Sequence, residues 1–175
     1  LNGGCFQLAD SRLENIARMR EHHFPAEYLL LRLPSPSQAE DVVALADYSL
    51  NSELYTLQKL NEAAQKLGKK HGVILMADLG DLREGVFPAA KVFELVKEVL
   101  AMESLQFAGI GCNLACYGGV IPTSENMQMM ADLRLRIEQE LQVSVPFVSG
   151  GNSSGLPLVM ANGMPSSINH FRVGE

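Results

Sequence analysis

The stretch Gly72-Val73-Ile74-Leu75-Met76-Ala77 runs directly into Asp78-Leu79-Gly80-Asp81-Leu82-Arg83-Glu84-Gly85. Its first six residues carry no polar alternation, so they read as a strand buried on both faces, the habit of strands in parallel sheets. Parallel neighbours need a crossover, and Val92, Phe93, Val96, Val99 and Leu100 supply the apolar face of a helix just downstream. The long charged loop between them lies at the carboxyl end of the strand.

The same unit recurs on either side. Upstream, Cys5 to Ala9 reads as a strand before a helix opened by Ser11 with Glu14 as a capping box. Tyr28 to Leu33 is a second strand; Pro34-Ser35-Pro36 ends it, and Ser37 with Glu40 predicts another capping box. Asp47 to Leu50 is a third, followed by Leu54, Leu57, Leu60, Ala64 and Leu67 at helical spacing up to Gly68, a helix C-cap. Downstream, Leu105 to Cys112 is a strand, its loop Asn113-Leu114-Ala115-Cys116-Tyr117-Gly118-Gly119 leading into a helix carrying Met127, Met130, Leu133, Ile137 and Leu141. Val145 to Val148 and Ile168 to Arg172 are the last strands, with a helical turn around Leu156 to Ala161.

Unbroken strand and helix alternation specifies an α/β fold, either an open doubly wound sheet or a closed barrel. A doubly wound sheet gathers its ligand chemistry at one switch point, whereas here special residues follow nearly every strand, as when eight strand ends ring a common mouth. The sequence therefore predicts a (β/α)8 TIM-type barrel over residues 1–175, a single but incomplete domain. Seven strands are legible, and the expected position of the eighth is before Leu1.

At 47% hydrophobic and 19% charged, the 175-residue chain can bury a substantial core. Its net charge of −6 and lack of a basic run argue against nucleic acid as partner. No apolar run approaches membrane-spanning length and no charged-then-apolar leader opens the chain, so no membrane association and a cytoplasmic location are expected. Cys5, Cys112 and Cys116 read as free thiols. No histidine or second ligand pair accompanies Cys112 and Cys116, so no metal site is expected.

Val145-Pro-Phe-Val-Ser-Gly-Gly-Asn-Ser-Ser-Gly155 turns from a strand into glycines, hydroxyls and an amide. Such a loop can aim backbone N–H groups at a phosphate, with Ser149, Ser153 and Ser154 as further donors, although the same composition also serves ordinary turns. In barrels a phosphate site often forms from the loops after the last two strands. Val145–Gly155 and Arg172–Glu175 occupy those places.

Six blocks together resemble a known family: Ala9-Asp-Ser-Arg-Leu-Glu-Asn15, Ser49-Leu-Asn-Ser-Glu53, Met76-Ala-Asp-Leu-Gly-Asp-Leu-Arg-Glu-Gly85, Gly109-Ile-Gly-Cys-Asn-Leu114, Ser149-Gly-Gly-Asn-Ser153 and Phe171-Arg-Val-Gly-Glu175. The chain is similar to the pyridoxal-phosphate-dependent alanine racemase barrels, most closely their ornithine racemase branch. The resemblance implies pyridoxal 5'-phosphate as cofactor, bound by Ser149, Asn152 and Ser153 of one loop and by Gly174 and Glu175 of the other. It implies that Arg172 faces the pyridine nitrogen, and that Arg83 stands at the site mouth as a supporting residue. The alternatives are that Arg172 pairs with a barrel acid and Arg83 with Glu84. Asn113 takes the place where alanine racemases carry a histidine beneath the ring, so only a packing role is implied there.

The resemblance further implies a small amino acid substrate, ornithine or another basic one, racemised by removal and return of the α-proton in a homodimer. The Schiff-base lysine of such enzymes belongs to the first barrel strand, and their second-face tyrosine to a C-terminal β-domain. Lys59, Lys66, Lys69, Lys70, Lys91 and Lys97 all fall in helix patterns or at helix ends, so neither base, and no catalytic residue proper, is expected within the chain. Two alternatives stay open: a single-barrel protein that carries pyridoxal phosphate without catalysis, and a sugar-phosphate isomerase or aldolase barrel.

Overall fold

The computed structural model describes residues 4–174. Among them strands and helices alternate strictly: β1 Gln7–Asp10, α1 Leu13–Glu21, β2 Glu27–Leu30, α2 Ala39–Leu45, β3 Tyr48–Asn51, α3 Leu54–Leu67, β4 His71–Met76, α4 Val92–Leu100, β5 Leu105–Gly111, α5 Ser124–Leu141, β6 Phe147–Asn152, α6 Leu156–Met160 and β7 His170–Arg172. The strand order follows the chain from β1 to β7, and the registered pairs β1–β2, β2–β3, β5–β6 and β6–β7 are all parallel. A doubly wound sheet reverses its order at a switch point; this order does not, and it is the winding of a TIM-type barrel.

The chain divides into two compact units, one containing the residues up to Val73 with Glu98–Phe107, the other Ile74–Lys97 with the residues from Ala108 onward. In the first, Ile16, Leu29, Leu30, Val42, Leu57 and Leu60 form the core. Each such leucine contributes roughly 2 kcal/mol by leaving water. Tyr28 is buried among them, its hydroxyl donating to the Met19 carbonyl at 3.2 Å, while Arg20 stacks on its ring and pairs with Asp47 at 2.9 Å. Ser49 Oγ lies 2.8 Å from His71 Nε2, and Asn51 donates to the Ser49 carbonyl. All three side chains are inaccessible, so this serine and histidine are structural rather than a nucleophile and its base.

Two expected helix starts differ. No capping box forms at Ser11 and Glu14: Asp10 accepts the Arg12 N–H at 2.8 Å and the Asn15 side chain, so helix α1 starts at Leu13. Ser37 also makes no cap, because Pro36–Gln38 is a 3-10 turn in which Ser37 meets the Ser35 hydroxyl at 2.9 Å. Gly68 ends α3 in the left-handed conformation, as the sequence predicts.

In the second unit Ile74, Leu75, Met76, Val92, Val96, Ile110, Met127, Met130 and Val148 are buried, the two methionines serving as packing. Helix α5 carries a capping box the sequence reading overlooked, between Thr123 and Asn126. Strand β6 extends to Asn152, further than the expected Val148, carrying the Ser149–Asn152 segment into the sheet.

Candidate functional site

All described residues of the expected cofactor set lie in the second unit, Asn113 beyond β5, Ser149 within β6 and Asn152 at its end, Ser153 just after it, Arg172 ending β7 and Gly174 beyond it. Glu175 lies outside the described residues. Arg172 ends β7, with one guanidinium nitrogen donating to Ser149 Oγ and the other to the Cys112 carbonyl at 2.8 Å. Ser149 is fully buried, and its oxygen also lies 2.8 Å from His170 Nδ1. Burial pulls the Arg172 pKa below its usual value, and the neighbouring Arg83 adds to the pull while Cys112 and Glu84 oppose it. Guanidinium starts so high that it stays charged.

Behind Arg172, burial pushes the Cys112 thiol up to about 12 despite the opposing arginine. His170 falls to about 4, chiefly through burial and secondarily through Arg172. It is therefore a neutral imidazole at physiological pH.

Asn113, Asn152 and Glu84 form a second cluster. Asn113 donates to the Glu84 carboxylate at 3.2 Å and accepts from the Asn152 amide at 3.0 Å. Asn152 also donates to the Leu114 carbonyl, and its oxygen accepts the Ser154 N–H at 2.9 Å, fixing the turn at Ser153. Beside it, the Gly174 N–H reaches Ser153 Oγ at 3.4 Å, bringing the loops after β6 and β7 together. A side chain built on Gly174 would meet nothing within 4 Å, so there is open room at this junction.

Arg83 is exposed and donates to Cys116 Sγ rather than pairing with Glu84. The loop it belongs to is held by Asp81, whose carboxylate accepts the backbone N–H groups of Tyr117, Val120 and Cys116. Burial alone would raise the Asp81 pKa, but these bonds lower it below its usual value. No group of three or more metal-ligating side chains occurs among the described residues, and none of the described helices is long and apolar enough to cross a membrane.

The sequence reading missed His170 and Asp81. His170 was detectable, since two positions from Arg172 on a strand puts both on one face. Asp81 offered no such signal, its partners lying 35 to 39 residues away.

Residues 1–175 match the model of the alanine racemase N-terminal domain. The chain belongs to that family. It is 45% identical over 167 residues to an ornithine racemase of Acetoanaerobium sticklandii, covering 95% of this chain and 47% of that protein. It is 34% identical over 169 residues to a lysine racemase of Thermotoga maritima, covering 96% and 46%. The chain thus spans about half the length of these curated relatives. Among solved structures it resembles PipY of Synechococcus elongatus with PLP bound, with a TM-score of 0.76, 20% identity and coverage of 98% of this chain and 80% of that one. An alanine racemase of Clostridium difficile gives 0.75 at 20% identity, covering 97% and 43%. Both share the barrel fold of this family member.

Proposed function

We propose that this chain is the cofactor-holding barrel of a pyridoxal-phosphate-dependent amino acid racemase, acting on ornithine or another basic amino acid in the cytoplasm as a homodimer. The observation that carries the reading is Arg172, charged and held at two nitrogens beside the Ser153–Gly174 junction. This donor set fits a phosphorylated pyridine ring. Hydroxyl and backbone N–H groups at a turn suit a phosphate, and a guanidinium suits an unprotonated ring nitrogen. The similarity to ornithine and lysine racemases supports the substrate class.

When bound, pyridoxal phosphate supplies an electron sink that acidifies the α-proton of an attached amino acid. In this reading Ser153 and the Gly174 N–H would hold the phosphate. Asn152 keeps the phosphate turn in shape through Ser154 and Leu114. Arg172 does not surrender its proton, so it would leave a ring nitrogen facing it unprotonated and the cofactor a weaker electron sink, which suits a racemase. Asn113 supports the ring, and Arg83 guards the mouth.

The six lysines lie in helices, in the Ala89–Lys91 turn or between α3 and β4, and Lys59, Lys66 and Lys97 are paired with carboxylates. The proposal therefore assigns neither proton-transfer base to residues 4–174.

The test is a titration of the intact protein with pyridoxal phosphate, followed by loss of optical rotation with L-ornithine, L-lysine and L-alanine. Saturable binding with faster racemisation of the two diamino acids is expected. Binding without loss of rotation for any substrate would point to cofactor carriage instead. Absence of binding would sink the cofactor assignment.

A further inference from the structure

We propose that Ser149 and His170 are positioning residues that fix the Arg172 guanidinium through a directed chain of hydrogen bonds, from Arg172 to the Ser149 hydroxyl and from that hydroxyl to His170 Nδ1. The role rests on the reading of Arg172 as partner of the cofactor's ring nitrogen.

The strand register builds the chain. Ser149 on β6 is the direct partner of His170 on β7, and Arg172 follows two residues later on the same face. Both Ser149 and His170 are buried, so water does not compete for their polar atoms. The direction of the bonds follows from what each group can do. Arginine only donates, so the Ser149 oxygen accepts from Arg172 Nη1. The hydroxyl proton is then left for the atom 2.8 Å away, His170 Nδ1. In this chain that nitrogen is bare, and the imidazole is neutral with its proton on Nε2.

The surroundings enforce that state. The burial of His170 and the positive charge of Arg172 both disfavour imidazolium, and the ring lies 5.2 Å from that of Phe147 at a tilt. A protonated His170 would aim a second donor at an oxygen already accepting from Arg172. The other guanidinium nitrogen is anchored on the Cys112 carbonyl at 2.8 Å, above a thiol that burial keeps protonated. With two nitrogens held, the planar fork keeps one orientation, so little freedom remains to be lost when a ligand arrives. An arginine held by one carbonyl alone could swing.

The experiment uses the intact protein with S149A, H170F, H170N and R172K. Asparagine can place an acceptor where Nδ1 stands, so H170N tests rescue. In the cofactor-free protein, side-chain 15N NMR should show separate, slowly exchanging Arg172 Nη signals in the wild type and in H170N, and averaged ones in S149A and H170F. Bound pyridoxal phosphate labelled with 15N in its ring should report an unprotonated nitrogen in the wild type. In S149A its signal should shift and binding should weaken about tenfold.

Wild-type-like Arg172 signals in both S149A and H170F would overturn the positioning role, as would failure of H170N to differ from H170F. An unchanged ring-nitrogen signal in R172K would instead overturn the underlying reading of Arg172, leaving the cofactor-free measurement to decide the chain itself. Should H170F fail to fold, S149A and H170N decide the matter between them.

Discussion

The backbone N–H of Tyr117 donates to the Asp81 carboxylate at 2.8 Å, joining the loop after β4 to the loop after β5 across 36 residues. The same carboxylate accepts from Cys116 and Val120. One side chain thus sets the shape of the segment that carries Arg83 and its Cys116 contact. D81N removes the charge while keeping the size. Its amide nitrogen cannot accept, so either Tyr117 or Val120 loses its partner and Cys116 keeps only one of its two acceptors. We expect D81N to raise the hydrogen-exchange rates of the Cys116, Tyr117 and Val120 amides at least tenfold, with little change at the buried amides of β4. The lowered pKa gives the sign of the pH effect: the clasp is present above the ordinary carboxylate range and is lost as pH falls through the folded value. The protection factors of these three amides in the wild type should therefore fall in acid, and those of D81N should not.

His71 and His170 are each held neutral at about 4 by burial. In the unfolded chain they titrate near 6.5, so the unfolded state takes up protons first as pH falls. Stability is thus full above about 7, declines between 6.5 and 4, and then levels off. At pH 5 each histidine should cost about 2 kcal/mol relative to pH 7. Urea unfolding at the two pH values measures the sum. H71Q, which can still meet Ser49 at the Nε2 position, should remove close to half of the difference.

Gly109 holds φ at +153°, and a Cβ there would come within 2.0 Å of the Phe147 carbonyl oxygen. The atom it would strike is backbone in a paired strand, since Gly109 and Phe147 are register partners of β5 and β6. Nothing flexible can yield. G109A should therefore destabilise the fold by about 3 kcal/mol or more, read from the urea midpoint, and should separate Ser149 from Cys112 as β6 shifts. An unchanged midpoint would mean that the two strands do not approach this closely.

Much of this architecture was legible in the sequence, and the reasons are local. The unalternating run at β4, the apolar spacing of α3 and α5 and the C-cap at Gly68 each depend on residues within a turn or two of one another. The capping boxes at Ser11 and Ser37 failed for an equally local reason, because Asp10 and the Pro36 turn offered the same N–H groups better or different partners. The site was legible as a set of residue types but not as a set of bonds. Arg172 was visible as a conspicuous charge at a strand end, whereas its anchor on Cys112 lies 60 residues away and is set by sheet register. The alternative to a site-mouth role for Arg83 pairs it with Glu84, yet Asn113 takes that carboxylate, because a strand end 29 residues on delivers an amide there.

The three cysteines should differ sharply in reactivity. Cys5 and Cys116 are exposed, while Cys112 is buried, its carbonyl bound by Arg172 and its thiol pushed up to about 12. Thiolate is the nucleophile, so Cys112 has neither access nor the reactive form near neutral pH. Iodoacetamide at pH 8, followed by mass spectrometry of the intact chain, should add two carbamidomethyl groups rapidly and a third only after denaturation. Peptide mapping should place the slow one at Cys112. R172A removes the anchor that ties β7 to the Cys112 carbonyl, and the third labelling should then quicken well before global unfolding. Equal labelling of all three thiols in the native wild type would contradict the burial of Cys112 described above.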